Sequence, residues 1–262
     1  MSFRIAHISD LHTGSPHFVP NLLERAIIEV NDLKPDVVVC SGDLTTHGFR
    51  QEYAEAAAYL ARLECEALVV IPGNHDSRNV GYVHYEDLFG ERSSVLHVNG
   101  VTVVAVDSSE PDLDHGQIGR GRYKWIAEQF SAPADFRIFV LHHHLLPVPG
   151  TGRERNVVYD AGDVIEVLQD SKVNLVLSGH KHVPYAWRLE NLFVVNTGTV
   201  SSLRLRGNTR PCYNVIEIEG RHVDVFRRYP FHGEERIIQF SADTLEFEKY
   251  TGRIEAEVTT RG

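Results

Sequence analysis

Five short segments carry residues able to hold cations or move protons. They are Asp10-Leu11-His12, Ser41-Gly42-Asp43, Gly73-Asn74-His75-Asp76, His142-His143-His144 and Gly179-His180-Lys181-His182. Carboxylates, an amide oxygen and imidazoles are donors that divalent first-row metals accept. With His75 and Asp76 set aside, Asp10, His12, Asp43, Asn74, His142, His180 and His182 form a ligand set too large for one tetrahedral ion. The set suits two divalent ions sharing one carboxylate. His75 is of a type that moves protons near neutral pH, and a carboxylate beside it, Asp76, could hold its ring in one orientation. Any one of these segments alone is an ordinary turn, so their weight is collective.

Each segment follows an apolar run that reads as a buried strand: residues 3–9, 37–40, 68–71, 137–141 and 173–177. Between them, Leu22, Leu23, Ala26, Ile27 and Val30 keep helical spacing after Pro20, and Lys34-Pro35-Asp36 ends that helix. Further helices are predicted over 51–63, 122–130 and 161–169, while the stretch from 77 to 93 reads as polar and without an element. Such βαβ units gather ligands outside the carboxyl ends of their strands. The Asp10-x-His12 and His180-x-His182 spacings predict extended segments with both side chains on one side. Gly42, Gly73 and Gly179 remove a side chain where the backbone must turn close to an ion.

Asn99-Gly100, between apolar runs at 94–98 and 101–106, predicts a hairpin. Short runs at 185–189, 192–195, 213–218 and 222–227 predict a β-meander. The mixture predicts two sheets face to face with helices outside. Residues 1–231 read as one domain. Residues 232–262 form an extension that is an added strand, a dimer contact or a frayed end.

Composition excludes several classes of function. With 26 Lys and Arg against 36 Asp and Glu, the net charge of −10 leaves no basic field for a nucleic-acid backbone. No apolar stretch has the length of a signal peptide or membrane span, so a cytoplasmic protein without a membrane partner is expected. Cys40, Cys65 and Cys212 are odd in number and widely spaced, which fits packing residues in a reducing compartment.

In this order, the five segments resemble the signature blocks of the calcineurin-like metallophosphoesterases, and they span residues 10–182. The resemblance implies a four-layer αββα sandwich of two mixed β-sheets flanked by helices. It implies two divalent ions, drawn from manganese, iron, zinc and cobalt. Asp10, His12 and His182 would hold one, Asn74, His142 and His180 the other, and Asp43 would bridge them. His75 is implied as the residue that handles the leaving-group proton, with Asp76 as its orienting partner. His143 is the alternative to His142, because three histidines stand in a row and His144-Leu145-Leu146 occupies positions where prolines are common.

Leu44-Thr45-Thr46-His47-Gly48 stands where Ser/Thr protein phosphatases have Asp-Arg-Gly, and no Tyr sits near Asp43 as in purple acid phosphatases. Gly42-Asp43-Leu44-Thr45, Tyr53 and the compact size are most similar to bacterial class III cyclic-nucleotide phosphodiesterases. That similarity implies hydrolysis of small phosphodiesters such as cyclic nucleotides, with His75 as leaving-group acid and water activated between the ions. A phosphomonoesterase is the alternative, and a non-catalytic scaffold a third reading. Arg153 or Arg155, and Arg204 and Arg206, are candidate phosphate contacts. Asp107 reads as a turn carboxylate.

Overall fold

The computed structural model describes residues 2–151, 156–206 and 209–250. Its strands are β1 (Ser2–Ile8), β2 (Val37–Cys40), β3 (Ala67–Val70), β4 (Ser94–Val98), β5 (Val101–Ala105), β6 (Phe136–Val140), β7 (Leu175–Ser178), β8 (Tyr185–Leu189), β9 (Leu192–Asn196), β10 (Tyr213–Glu219), β11 (His222–Tyr229), β12 (Gly233–Ser241) and β13 (Phe247–Lys249). Its α-helices are α1 (Pro20–Leu33), α2 (Arg50–Leu60), α3 (Gly81–Phe89), α4 (Tyr123–Gln129) and α5 (Ala161–Asp170).

One sheet runs β13-β12-β11-β10-β1-β2-β3 and the other β4-β5-β6-β7-β9-β8. Alternation along each strand sends neighbouring residues to different layers. Ile5, Val37 and Val39 meet Val103, Ile138, Val140 and Leu177 in the core between the sheets. Their neighbours Ala6, Ile8, Val38 and Cys40 pack outward against Leu23, Ile27 and Val30 of α1 and Tyr53 and Ala56 of α2. On the far side, Phe139, Leu141 and Val176 pack against Ile126 of α4 and Val164 and Leu168 of α5. Each such large side chain contributes about 2 kcal/mol by leaving water, so both faces of both sheets are anchored. The expected αββα sandwich is the result.

Both sheets are mixed. β1, β2 and β3 are parallel, as are β5, β6, β7 and β9, and this aligns the carboxyl ends of the strands that carry the site. The meander is divided: β8 and β9 close the second sheet, whereas β10 to β13 extend the first. Residues 233–249 of the tail form added strands. Ile237, Ile238 and Phe240 enter the inter-sheet core, and the Phe240 ring stacks on Phe193 with centroids 3.7 Å apart. Asn99 and Gly100 both take positive φ, 45° and 74°, as a two-residue hairpin turn requires.

Helix α3 lies within the stretch expected to hold no element. It begins at Gly81 without a side-chain cap, and Tyr82-Val83-His84-Tyr85 are weak helix formers. Burial of Tyr85 against the α1–α2 layer supplies what propensity does not. No helix among the described residues is long and apolar enough to cross a membrane, and the three cysteines are unpaired.

Candidate metal centre

The loops leaving β1, β2 and β3 of one sheet and β6 and β7 of the other converge at one end of the sandwich. They bring together every residue expected to ligate: Asp10, His12, Asp43, Asn74, His142, His180 and His182. Around one point, His12 Nε2 lies 2.9 Å from His182 Nε2 and 3.8 Å from Asp10 Oδ1, and His182 Nε2 lies 3.2 Å from that oxygen. Around a second, His142 Nε2 is 3.2 Å from Asn74 Oδ1 and 3.3 Å from His180 Nδ1, and His180 Nδ1 is 3.0 Å from Asn74 Oδ1. Asp43 Oδ2 stands between the groups, 3.6 Å from His12 Nε2 and 3.3 Å from His142 Nε2.

These spacings test whether cations fit. Donor atoms bonded to one cation at 2.0–2.2 Å lie roughly 2.8–3.6 Å apart, and all the spacings above fall in that range except His12 Nε2 to Asp10 Oδ1 at 3.8 Å. The carboxylates have one oxygen committed and one spare. Asp10 Oδ2 accepts from His180 N at 3.0 Å, and Asp43 Oδ1 accepts from His75 N at 2.9 Å. Among the described residues, Asp10 Oδ1 and Asp43 Oδ2 have no hydrogen-bond partner although both are buried. A buried carboxylate oxygen left unsatisfied is costly, and a cation removes the cost. The donor set therefore fits two divalent ions.

Electrostatics point the same way. Burial opposes charge on Asp43, but His142 and His75 hold its carboxyl well below the usual range. Burial likewise disfavours a charged His142, yet Asp43 beside it pushes its pKa up to about 9. Burial drives His12 down to about 3. A metal entering the His142 group must therefore displace a proton held there by Asp43.

Backbone conformation is where expectation and structure differ. Asp10, His12, Asp43, His180 and His182 are left-handed, with φ of 55°, 54°, 52°, 72° and 56°, and the segments are not extended. Each such residue costs on the order of 1 kcal/mol, and the surrounding loops enforce it. Asp10 N and His12 N donate to Gly42 O and Asp43 O, both at 2.9 Å, while Thr199 Oγ1 donates to Asp10 O at 2.6 Å. A Cβ on Gly42 would come within 2.7 Å of both Gly73 N and His142 Nδ1, so the glycine is needed for loop contact as well as for its φ of 97°.

His142 turns Nε2 inward because its Nδ1 donates to Ser41 O at 2.7 Å. His143 is occupied elsewhere, with Nδ1 2.9 Å from Ser108 Oγ. Asp76 does not orient His75. Its carboxylate accepts from Leu44 N, Thr45 N, Thr45 Oγ1 and Gly73 N, so both oxygens are committed to tying two loops together. The His75 ring is instead held by Thr46 O, which accepts from Nδ1 at 2.7 Å.

A cleft of about 100 Å³ opens over the centre, lined also by Arg78, Asp114, Asn156, Arg204 and Arg206. Arg78 Nη2 donates to Asp114 Oδ1 at 2.5 Å, and Asn156 Nδ2 lies 3.2 Å from His180 Nε2. The sequence reading missed Ser41, Thr46, Glu52, Arg78, Asp114 and Asn156. Only Glu52, an acidic residue in the first turn of α2, and Arg78, three residues beyond His75, carried a signal that could have found them. Arg153 and Arg155 lie outside the described residues. Asp107 is a turn carboxylate, accepting from Ser109 N at 2.7 Å.

The centre can now be set beside known proteins. A probable cyclic nucleotide phosphodiesterase of Rhodococcus erythropolis is 28% identical over 196 residues, 68% of this chain and 64% of its own length. A cAMP/cGMP dual specificity phosphodiesterase of Mycobacterium tuberculosis is 27% identical over 197 residues, 68% of this chain and 61% of its own. The chain thus spans just under two thirds of the length of these two relatives. Among solved structures, a purple acid phosphatase from yellow lupin superposes with a TM-score of 0.70 at 16% identity, covering 89% of this chain and 52% of the other. GAP50 of Plasmodium superposes at 0.69 and 14% identity, covering 95% and 90%. These structures share the fold. Residues 3–184, which hold every candidate metal ligand, match the calcineurin-like phosphoesterases, and this chain belongs to that family.

Proposed function

We propose that the protein is a phosphodiesterase acting on small diesters, cyclic nucleotides among them. The observation that carries this reading is the pair of spare buried oxygens, Asp10 Oδ1 and Asp43 Oδ2, facing ring nitrogens beneath a polar cleft. In this reading Asp10, His12 and His182 hold one divalent ion, Asn74, His142 and His180 a second, and Asp43 lies between them. Such ions supply Lewis acidity toward phosphate oxygens and make water a nucleophile near neutral pH.

His75 acts on the leaving group. With Nδ1–H held by Thr46 O, the proton that can be transferred is the one on Nε2, and it passes to the departing alkoxide oxygen. The Thr46 carbonyl keeps the ring at one angle throughout, so little reorganisation accompanies transfer. The names of the relatives in Rhodococcus and Mycobacterium support a cyclic nucleotide as the diester. Three unpaired cysteines accord with a cytoplasmic setting.

The test is turnover of bis-p-nitrophenyl phosphate and a panel of cyclic nucleotides by protein loaded with manganese. Hydrolysis of neither would sink the proposal. Faster turnover of p-nitrophenyl phosphate, a monoester with the same leaving group, would favour a phosphomonoesterase.

A further inference from the structure

We propose that Arg204 and Arg206 form a subsite beside the metal centre for a second oxyanion on the substrate. The preferred diester then carries a phosphate or carboxylate beyond the scissile phosphate. The inference rests on the phosphodiesterase reading but departs from its cyclic-nucleotide arm, because a 3′,5′-cyclic mononucleotide carries no anion beyond its scissile phosphate.

Most described arginines in this acidic chain find acceptors, the exposed Arg50 and Arg210 being exceptions outside the cleft. Arg4 pairs with Glu217, Arg92 with Asp107, Arg221 with Asp243 and Arg236 with Asp224. Within the cleft itself, Arg78 is neutralised by Asp114. Arg204 and Arg206 line the same cleft, yet among the described residues neither guanidinium has an acceptor. Both side chains are exposed, and what sets them apart from Arg50 and Arg210, which also lack acceptors, is that they line the cleft over the metal centre. The fork of donors on each matches the geometry of a phosphate or carboxylate.

Their placement is enforced by the backbone. Arg204 O accepts from Nδ1 of the candidate ligand His182 at 2.6 Å, and Arg204 N donates to Ser202 Oγ at 3.1 Å. Arg206 O accepts from Thr209 Oγ1 at 2.8 Å. The segment is thereby pinned to the wall of the metal centre, so a group bound there lies beside the scissile phosphate.

The experiment compares three diesters with one leaving group: ethyl, 2-carboxyethyl and 2-phosphoethyl p-nitrophenyl phosphate. The manganese-loaded wild type is expected to favour at least one anionic diester by about tenfold in kcat/KM, chiefly through KM, with the preference eroding as salt rises. The Arg204→Gln/Arg206→Gln double variant, which retains the Arg204 carbonyl, is expected to lose the preference. Arg50→Gln, which removes an exposed charge outside the cleft, is expected to keep it. Equal turnover of all three diesters by wild type, or a preference that survives in the double variant, would overturn the subsite.

Calorimetric titration of the same proteins with ethyl phosphate and 2-phosphoethyl phosphate separates the two readings. Tighter binding of the bisphosphate by wild type but not by the double variant would uphold the subsite even if no diester were hydrolysed. Equal affinities would remove it even if diesters were turned over.

Discussion

Replacing Asp76 by Asn separates two roles for a carboxylate that directly follows His75. The side chain is fully buried and accepts hydrogen bonds from Leu44 N at 3.0 Å, Thr45 N at 2.8 Å, Thr45 Oγ1 at 2.7 Å and Gly73 N at 2.8 Å. Asn keeps the volume but turns an NH2 group toward two of these donors. Two lost bonds to a charged acceptor cost about 1.5 kcal/mol each, and stranding two N–H groups adds to that. Against this, burial and the neighbouring Asp43 push the Asp76 pKa up to about 7, so its charge is itself disfavoured. The balance is a loss of about 2–4 kcal/mol, or a Tm lowered by roughly 5–12 °C for a chain of this size.

The loops that Asp76 ties carry Asp43 and Asn74, so metal content should fall together with stability. Turnover per bound metal should change little. The pH dependence has a definite sign. In the metal-free protein the folded pKa of about 7 lies above the ordinary 3.8, so the fold holds this proton more tightly than the unfolded chain does. Wild-type stability from this group is therefore greatest at acid pH and declines as pH rises from about 4 to 7. Asn does not titrate, so the deficit of the variant narrows over that window. Denaturant titration at several pH values, metal analysis and kcat per metal check these points. A variant as stable as wild type, fully metallated and a hundredfold slower would refute the argument and restore Asp76 as the orienting partner of His75.

Other outcomes follow from the same geometry. His142→Ala should lose one of two metals by elemental analysis, whereas His143→Ala should keep both. His75→Ala should retain its metals and lose turnover, most for diesters with poor leaving groups; a loss independent of leaving group would count against proton transfer. Glu52 accepts from Thr46 N at 3.2 Å, His47 N at 2.8 Å and Phe49 N at 3.3 Å. Glu52→Ala should therefore cost about 2–4 kcal/mol in chemical denaturation and lower kcat by releasing the Thr46 carbonyl that steers His75. Chelation should abolish activity and lower Tm, with manganese restoring both.

The architecture was legible wherever burial leaves a periodic trace. The runs at 37–40 and 68–71 read directly as inner strands, and the candidate ligands follow because loops after parallel strands share an edge. Helix α3 was not legible, since Tyr85 gains much of its stability from other elements, packing on Tyr53 and donating to Val70 O. The left-handed backbone at Asp10, His12, Asp43, His180 and His182 was equally hidden. Nothing in a D-x-H or H-x-H spacing distinguishes a strand from a loop forced by its neighbours. The supports of His75 and His142 are main-chain carbonyls of Thr46 and Ser41, and a carbonyl has no letter in a sequence.

Each candidate cation group takes side chains from both sheets: Asp10 and His12 with His182, and Asn74 with His142 and His180. Cation affinity is thus a gauge of how well the two halves of the sandwich have docked. On the ribosome neither group is complete until residues 180–182 have emerged, so metal capture falls late in synthesis and locks an assembled molecule. A one-residue slip between the halves would leave the hydrophobic layer partly intact while dispersing both groups, and weakened cation binding would report that slip before unfolding could be seen.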